Sequence, residues 1–309
     1  MNAAPQASGL KKKLLFVQLV GYIVTELWNM LFRPVKRVLI RRHISQNKKL
    51  VDSESNVEEK SGAIVIIGGS FSGYFAAGLI ASTLPPDSRY HVIVIEPNSH
   101  FHFTWVLPRF CVVPDHEHKA FIPHGSFVAK HKKIRWIQDK AMTIDKTSVS
   151  LRDSGETIRY EFLIIATGSD GGGGLPSRVG AEGKAAGMKL VRAVQKRIAT
   201  SQKIVVVGGG AVGVEVATDA KGKYPEKEIV LVHSRRAVMH RFGPELQDTA
   251  LKALKDLGVN VILGERMSSQ HIEGGYVSLA SGKTIACDYL VNTPFQLQTF
   301  RYKHELNYE

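Results

Sequence analysis

Two glycine-rich runs in this chain have the residue types and spacing that bind phosphate groups. They are Gly68-Gly69-Ser70-Phe71-Ser72-Gly73 and Gly208-Gly209-Gly210-Ala211-Val212-Gly213. Each run follows a short apolar stretch and precedes small residues, so each predicts a strand, a tight turn and a helix. A helix that begins at such a turn points backbone N–H groups at an anion. Both runs therefore predict a site for the pyrophosphate of a dinucleotide.

The two runs differ in how well they fit this pattern. The second has glycine at all three positions of GxGxxG, whereas the first has Ser70 at the middle position. The Ser70 hydroxyl could donate to a phosphate, but its Cβ narrows the approach of a pyrophosphate to the backbone. A glycine turn without a ligand is the alternative for the first run.

The residue that follows the next strand also differs between the two units. In the first unit it is Glu96, whose carboxylate could accept a hydrogen bond from a ribose hydroxyl. In the second unit it is His233, with Arg235 and Arg236 close behind. A missing acid and nearby arginines favour a 2′-phosphate, so we expect NADPH to bind at least as well as NADH. The alternative is that both arginines only form a solvated turn.

The whole unit occurs twice, which sets the predicted fold. Residues 157–164 match residues 284–291, and both stretches follow a Ser-Gly turn. The first copy continues Ala166-Thr167-Gly168, whereas the second reads Thr293-Pro294-Phe295. We therefore predict an α/β fold with two Rossmann-like dinucleotide-binding domains. Proline fixes φ and phenylalanine disfavours a positive φ, so the closing turn is not expected in the second copy.

A basic, apolar segment precedes the first unit. Residues 1 to 50 contain ten Lys and Arg residues and one Glu, so they supply +9 of the formal net charge of +13. Because the rest of the chain has little net charge, no basic groove for nucleic acid is expected there. The run from Leu14 to Phe32 predicts an amphipathic helix lying on a membrane surface. A helix packed in the core and a membrane span are the alternatives. Its predicted polar stripe consists of Gln18, Glu26, Asn29, Arg33 and Lys36.

Histidine and cysteine give weaker signals. The His-x-His pairs at His100 and His116 lack a third ligand, so no metal is predicted, and the alternatives are an exposed loop or a place beside a flavin. The two cysteines, Cys111 and Cys287, are far apart in sequence. Neither a disulfide framework nor a dithiol relay is therefore expected.

The order of the motifs along the chain is typical of a known protein family. These motifs are GGSFSG, Glu96, YEFLIIATG and GGGAVGVE. The chain resembles the two-dinucleotide-domain flavoprotein reductases of the pyridine nucleotide-disulfide oxidoreductase superfamily. Within them it is most similar to the apoptosis-inducing-factor-like, ferroptosis-suppressor-like group, which is related to type II NADH dehydrogenases. HFHFTWVLPRF followed by HKAFIPH is similar to a segment of fungal members. The resemblance covers about residues 62 to 291.

This resemblance implies cofactors and residue roles. The first domain would hold FAD and the second NAD(P)H. Glu215 matches an acid near the nicotinamide and the flavin, although it could be only a helix-terminus carboxylate. Arg109 would approach the flavin, and these two residues are the implied catalytic ones. The predicted cofactor-binding residues are Gly68, Gly69, Ser70, Phe71, Ser72, Gly73, Glu96, Arg109, Ala166, Thr167, Gly168, Gly208, Gly210, Gly213, His233, Arg235 and Arg236.

The implied function is that of an FAD-dependent NAD(P)H oxidoreductase whose acceptor is a quinone at a membrane surface. The expected location is a membrane, on its cytoplasmic or mitochondrial face. Relatives continue with a Thr-Gly turn, a Gly-Asp motif and a C-terminal domain, so we expect a shortened chain with impaired turnover. The alternative is a non-catalytic, membrane-attached nucleotide-binding protein. We predict an N-terminal helix and linker in residues 1–61, the FAD domain in 62–172 and the NAD(P) domain in 173–309.

Overall fold

The computed structural model describes residues 13–14, 16–25, 27–28, 31–32, 62–125, 133–168, 175–176, 178–269 and 271–293. The chain divides into two compact units. One consists of residues 1–61 and 82–89, and the other of residues 62–81 and 90–309. The predicted boundary near residue 172 lies outside the described residues and stays a prediction.

The N-terminal segment is helical where it is described, as predicted. Helix α1 covers residues 16–25, and its large apolar side chains, among them Phe16, Ile23 and Val24, are exposed. Of the predicted polar stripe, Gln18 lies on this helix. The other four members, Glu26, Asn29, Arg33 and Lys36, lie outside the described residues. Within the described part of the chain, no helix combines the length and apolar character that crossing a membrane needs.

The first half of the larger unit is built on a four-stranded parallel sheet. Its strands, in the order β5-β2-β1-β9 across the sheet, are β1 (Gly62–Ile67), β2 (Tyr90–Ile95), β5 (Ile134–Ile137) and β9 (Phe162–Ile165). Helix α2 (Phe71–Thr83) follows β1 directly after the first glycine run. Val65, Ile66 and Val94 are completely buried. Such continuous burial is typical of parallel strands that are covered on both faces.

Two smaller sheets complete this half. Strand β3 (His100–His102) pairs antiparallel with β4 (Phe121–Pro123), and strands β6 (Ala141–Ile144), β7 (Ser148–Leu151) and β8 (Thr157–Arg159) form an antiparallel sheet. The chain between β3 and β4 holds the short helix α3 (Leu107–Phe110) and 3₁₀ turns at Thr104–Val106 and Glu117–Ala120.

The second half repeats the first, as the sequence predicts. Its parallel sheet has the order β12-β11-β10-β15, which is the order of the first sheet. The strands are β10 (Lys203–Val207), β11 (Glu228–His233), β12 (Asn260–Leu263) and β15 (Tyr289–Asn292), with the hairpin β13 (Tyr276–Ser278) and β14 (Thr284–Ala286). The helices are α4 (Lys184–Thr200), α5 (Ala211–Lys223) and α6 (Pro244–Asp256). The two Rossmann-like folds are thus confirmed.

A segment of the first half packs against helices of the second. The Phe121 ring lies on Gly187 of α4, where a Cβ would meet it at 2.4 Å. The Gln195 side chain donates a hydrogen bond to the Phe110 carbonyl at 2.6 Å. The Lys223 ammonium donates to the Val112 carbonyl at 3.0 Å. These contacts fix the two glycine runs relative to each other.

Candidate functional site

The first glycine run forms a tight turn held by the end of β2. Gly68 has φ of +104°, and its N–H donates to the Ile95 carbonyl at 2.8 Å. A Cβ on Gly73 would lie 1.8 Å from the Gly68 carbonyl oxygen, so the start of α2 can pack here only without a side chain. The turn therefore brings the N-terminus of α2 to the carboxyl edge of the sheet. Dinucleotides bind at this edge in doubly wound folds.

Glu96 lies directly beneath this turn and is only 6% exposed. One of its carboxylate oxygens accepts the Gly69 N–H at 2.6 Å, and the other accepts the Asn98 N–H at 2.8 Å and the Asn98 side-chain amide at 2.6 Å. An ionised carboxylate has about four acceptor positions, so it can accept a further donor such as a ribose hydroxyl. The geometry thus fits the role predicted for Glu96.

The second glycine run has the same backbone geometry. Gly208 has φ of +110°, and its N–H donates to the Val232 carbonyl at 2.8 Å. A Cβ on Gly213 would lie 1.8 Å from the Gly208 carbonyl oxygen. A Cβ on Gly210, by contrast, would meet nothing within 4 Å. The space beside Gly210 is open, as the approach of a pyrophosphate to the backbone requires.

His233 takes the place that Glu96 has in the first half. A Cβ on Gly209 would lie 2.8 Å from the His233 ring, and this ring is buried beneath the turn with 8% of the residue exposed. Its Nε2 lies 3.3 Å from Nδ1 of His240. Burial lowers the pKa of His233, and the charges of His240 and Arg235 lower it further. The second half thus has an imidazole pair where the first has a carboxylate.

One cavity of about 1100 Å³ is lined by both glycine turns. That volume exceeds the roughly 300–1,000 Å³ typical of sites for drug-sized ligands. The predicted site residues that line it are Gly68, Gly69, Ser70, Phe71, Ser72, Glu96, Ala166, Thr167, Gly168, Gly208, Gly210, Glu215, His233 and Arg235. Gly73 and Gly213 do not line it; they lie behind the turns they permit.

Two predicted site residues lie elsewhere. Pro108 lines the cavity, but Arg109 does not, and its side chain is 65% exposed. The Arg109 guanidinium pairs at 2.7 Å with Asp219 on helix α5. The structure therefore gives no support to its predicted approach to a flavin. Arg235 and Arg236 are both exposed, but Arg235 lines the cavity and Arg236 does not.

Glu215 reaches the cavity from the first turns of helix α5. Partial burial raises the pKa of its carboxyl, and the negative charge of Asp219, one helical turn further on, raises it too. A raised pKa favours the protonated carboxyl more than at a fully solvated glutamate. The Glu215 carboxyl can therefore hold a proton next to a ligand bound in the cavity.

Sequence reasoning missed much of the aromatic wall of the cavity. Trp105 is 72% exposed, and its ring stacks on Phe71 with 4.7 Å between centroids and 13° between planes. His102 and His124 also line the cavity because the pairing of β3 with β4 brings their segments together. The motif HFHFTWVLPRF marks this segment in the sequence, but nothing in it indicated which side chains face a ligand.

Burial lowers the pKa of both His102 and His124, so these two rings favour the neutral form. Burial lowers the pKa of His124 to about 4, assisted by His100 and partly opposed by the Asn98 backbone. The His124 Nδ1 shares a hydrogen bond with the Tyr74 hydroxyl. Burial, and then the charge of Glu96, raises the pKa of Tyr74 to about 12. Among the described residues, no group of three or more His, Cys, Asp or Glu is placed to hold a metal ion.

Several basic residues also line the cavity, and the sequence indicated only some of them. Besides Arg235, these residues are Arg178, His240, Arg241 and Arg266. The last four come from three different loops, so no local motif indicates that they meet. These cationic residues favour an anionic ligand in the cavity.

Comparison with known proteins agrees with this architecture. Residues 62–293 match the family model described as pyridine nucleotide-disulphide oxidoreductase. The chain is 31% identical over 228 residues to Fe-regulated protein 8 of Mycosarcoma maydis, covering 66% of this chain and 56% of that protein. It is 34% identical over 210 residues to ferroptosis suppressor protein 1 of Taeniopygia guttata, covering 66% of this chain and 53% of that protein. The chain thus spans about half the length of these curated relatives.

Solved structures show the same fold at lower identity. The water-forming NADH oxidase from Lactobacillus brevis, bound to NADH, superposes with a TM-score of 0.61 at 18% identity. The match covers 76% of this chain and 54% of the oxidase. At this identity the similarity supports the fold of the two halves.

Proposed function

The chain belongs to the pyridine nucleotide-disulphide oxidoreductase family, and from that premise we propose that it is an FAD-dependent NAD(P)H oxidoreductase. In this proposal FAD binds to the first half and NAD(P)H to the second. The observation that carries the proposal is the cavity lined by both glycine turns. Two dinucleotides bound along these turns share one space, and their reacting rings can meet there.

The residues present fit these two ligands. In the first half, the N–H groups at the start of α2 would bind the FAD pyrophosphate, and Glu96 would accept from its ribose. In the second half, the open space at Gly210 gives room for the NAD(P)H pyrophosphate. The cationic side chains of Arg235 and Arg241, which line the cavity, suit an additional phosphate.

Bound flavin would supply the redox chemistry by accepting hydride from the nicotinamide and giving electrons to a second acceptor. The chain itself would orient the two ligands and exclude water. The stacked rings of Phe71 and Trp105 belong to the apolar part of the cavity wall. Glu215 would hold or release a proton beside the reacting rings, since its carboxyl lines the cavity with a raised pKa.

We propose that the acceptor is a quinone and that the chain attaches to a membrane surface through α1. Two features support this attachment. The apolar side chains of α1 are exposed. The segment that contains α1 also has most of the positive charge of the chain, which favours anionic head groups. The cytoplasmic or mitochondrial face of a membrane is the proposed location.

The experiment is to purify the full chain and record its flavin absorbance under anaerobic conditions. We expect a yellow protein that NADPH or NADH bleaches and that a soluble quinone then re-oxidises. The control is the Gly210→Val variant, which fills the open space beside the second turn and should retain flavin but resist bleaching. A colourless chain, or one that keeps its colour with both nucleotides, would favour the alternative of a non-catalytic nucleotide-binding protein.

A further inference from the structure

We propose that His233 and His240 form a proton-binding pair that increases the preference of the second half for a 2′-phosphorylated nucleotide as the pH falls. The inference deepens the proposed function, because it rests on the second half being the NAD(P)H site. The pair would make the choice between NADPH and NADH depend on pH, which fixed cationic side chains alone do not do.

The first step is the location of the pair. Glu96 of the first half and His233 of the second end equivalent strands, and both lie beneath the second glycine of their turn. In this fold an acid at that position accepts from the ribose hydroxyls. The repeat therefore places the His233 ring beside the ribose of the second dinucleotide, where a 2′-phosphate would be attached.

The second step is the way His240 is held. Met239 has φ of +52°, a conformation uncommon for a residue with a side chain. Its N–H donates to the Gly209 carbonyl at 2.7 Å, and the Phe242 N–H donates to the Met239 carbonyl at 2.8 Å. The loop after β11 is thus folded back on the glycine turn. This brings His240 Nδ1 to 3.3 Å from His233 Nε2.

The third step is the charge around the pair. The loop after β11, which contains His240, also contains Arg235 and Arg241, and both line the cavity. The loop after β12 contains Glu265 and Arg266, which line it too. The glycine turn itself has no titratable side chain. Burial, and then the charges of His240 and Arg235, lower the pKa of His233 and so disfavour a positive charge on its ring. Without a ligand the His233 ring therefore favours its neutral form.

An anionic ligand beside the two rings would favour the protonated form instead of the neutral one. A phosphate dianion beside the two rings stabilises a proton shared between them, so its binding is accompanied by the uptake of a proton. The arginines are charged at every relevant pH and give a constant preference. Because proton uptake accompanies binding, affinity for the phosphorylated ligand increases as pH falls. The increase ends near pH ~6, where the phosphate itself takes up a proton.

The experiment compares two ligand fragments that need neither flavin nor turnover. The affinities of 2′,5′-ADP and 5′-ADP for the full chain are measured by calorimetry at pH 6.5 and pH 8.0. We expect the preference for 2′,5′-ADP to rise about fivefold on going to the lower pH. At pH 7, titrations in two buffers of different ionisation enthalpy should show net proton uptake for 2′,5′-ADP that exceeds the uptake for 5′-ADP.

The variants test whether the pair is responsible. His240→Ala should bind both fragments with a preference that no longer changes with pH. His271→Ala is the matched control, since His271 is exposed and does not line the cavity, and it should behave as the parent chain. A preference that is constant with pH in the parent, or that still changes in His240→Ala, would overturn the inference alone. Failure of both fragments to bind would overturn the proposed NAD(P)H site as well.

Discussion

At the level of single residues, Glu96 and His233 show how one position in a repeated fold can acquire opposite chemistry. Both lie beneath a glycine turn, at the end of the second strand of a parallel sheet. The carboxylate of Glu96 is held by three hydrogen bonds from Gly69 and Asn98. The imidazole of His233 lies against a second imidazole in a basic cavity wall. In our proposal, the first position binds a ribose hydroxyl and the second binds a phosphate.

The prediction for Glu96 is that Glu96→Gln weakens FAD binding about 10- to 100-fold. Glutamine has the shape of glutamate, but one of the carboxylate oxygens is replaced by an NH₂ group that donates and so faces other N–H donors. A buried donor without an acceptor costs about 1–3 kcal/mol of free energy. FAD affinity is measured by the quenching of flavin fluorescence. Glu226→Gln, at an exposed glutamate, is the control and should bind FAD as the parent does. Equal affinities in all three proteins would show that Glu96 does not contact the cofactor.

The prediction for the arginines is that replacing both Arg235 and Arg236 with Ala weakens the binding of NADPH more than the binding of NADH. The structure assigns most of this effect to Arg235, because Arg235 lines the cavity and Arg236 does not. A hydrogen bond to a charged group is worth about 1.5–3 kcal/mol, so Arg235→Ala should lower NADPH affinity about 10- to 100-fold. Calorimetry with both nucleotides on the two single variants separates the residues. An unchanged ratio in Arg235→Ala would mean that the arginines are only surface charge.

At the level of elements, each glycine turn depends on close packing between its own helix and strand. Gly213 permits the start of α5 to touch the Gly208 carbonyl, whereas Gly222, near the end of the same helix, has nothing within 4 Å of its missing Cβ. The same glycine-to-alanine change therefore has opposite consequences at the two ends of α5.

We predict that Gly213→Ala destabilises the protein by several kcal/mol and that Gly222→Ala stabilises it by up to about 1 kcal/mol. A Cβ at position 213 would lie 1.8 Å from a backbone oxygen, so the helix or the strand must move. At position 222 alanine only improves helix propensity. Urea unfolding followed by circular dichroism measures both. Similar midpoints for the two variants would contradict the packing described for the turn.

Helix α1 is the element expected to attach the chain to a membrane. We predict that the full chain sediments with liposomes containing anionic lipid and that a variant lacking residues 1–45 stays in the supernatant. The physical reason is the exposed apolar surface of α1 next to basic residues. Liposomes of neutral lipid are the control and should retain less protein. Equal sedimentation of both forms would disprove the attachment, and resistance to carbonate extraction would favour a true span.

At the level of the whole molecule, the two glycine turns share a cavity only because the halves are fixed to each other. The contacts involve Phe121 with Gly187, the Gln195 and Lys223 side chains, and the ion pair of Arg109 with Asp219. Three of these contacts are apolar or are made to backbone carbonyls. The ion pair is partly exposed, and it is the contact that a substitution can remove with the least damage to the core.

We predict that Asp219→Asn changes the free energy of unfolding by less than about 1 kcal/mol, because exposed ion pairs contribute little. The same substitution should lower the pKa of Glu215, since the negative charge of Asp219 contributes to raising it. Urea unfolding gives the first quantity, and an NMR titration of the Glu215 carboxyl gives the second. Lys252→Gln, at an exposed helical ion pair away from the cavity, is the control and should leave the Glu215 titration unchanged. A Glu215 pKa that stays constant in Asp219→Asn would contradict the geometry.

The sequence by itself determined the repeated architecture of this protein. Apolar runs that end in glycines, and the Ser-Gly turns before the last strand of each copy, predicted the parallel strands and the two turns. The structure confirms both parallel sheets in the same strand order. These features were predictable because a strand, a turn and the helix after it depend on residues within about ten positions of one another.

Only the tertiary structure decided which side chains line the cavity. The sequence singled out Arg109, Arg235 and Arg236, but of these three only Arg235 lines the cavity. It gave no sign of His240, which reaches His233 because the Met239 N–H binds the Gly209 carbonyl. The direction of a side chain on a loop depends on contacts between segments far apart in the chain. Spacing along the sequence does not record those contacts.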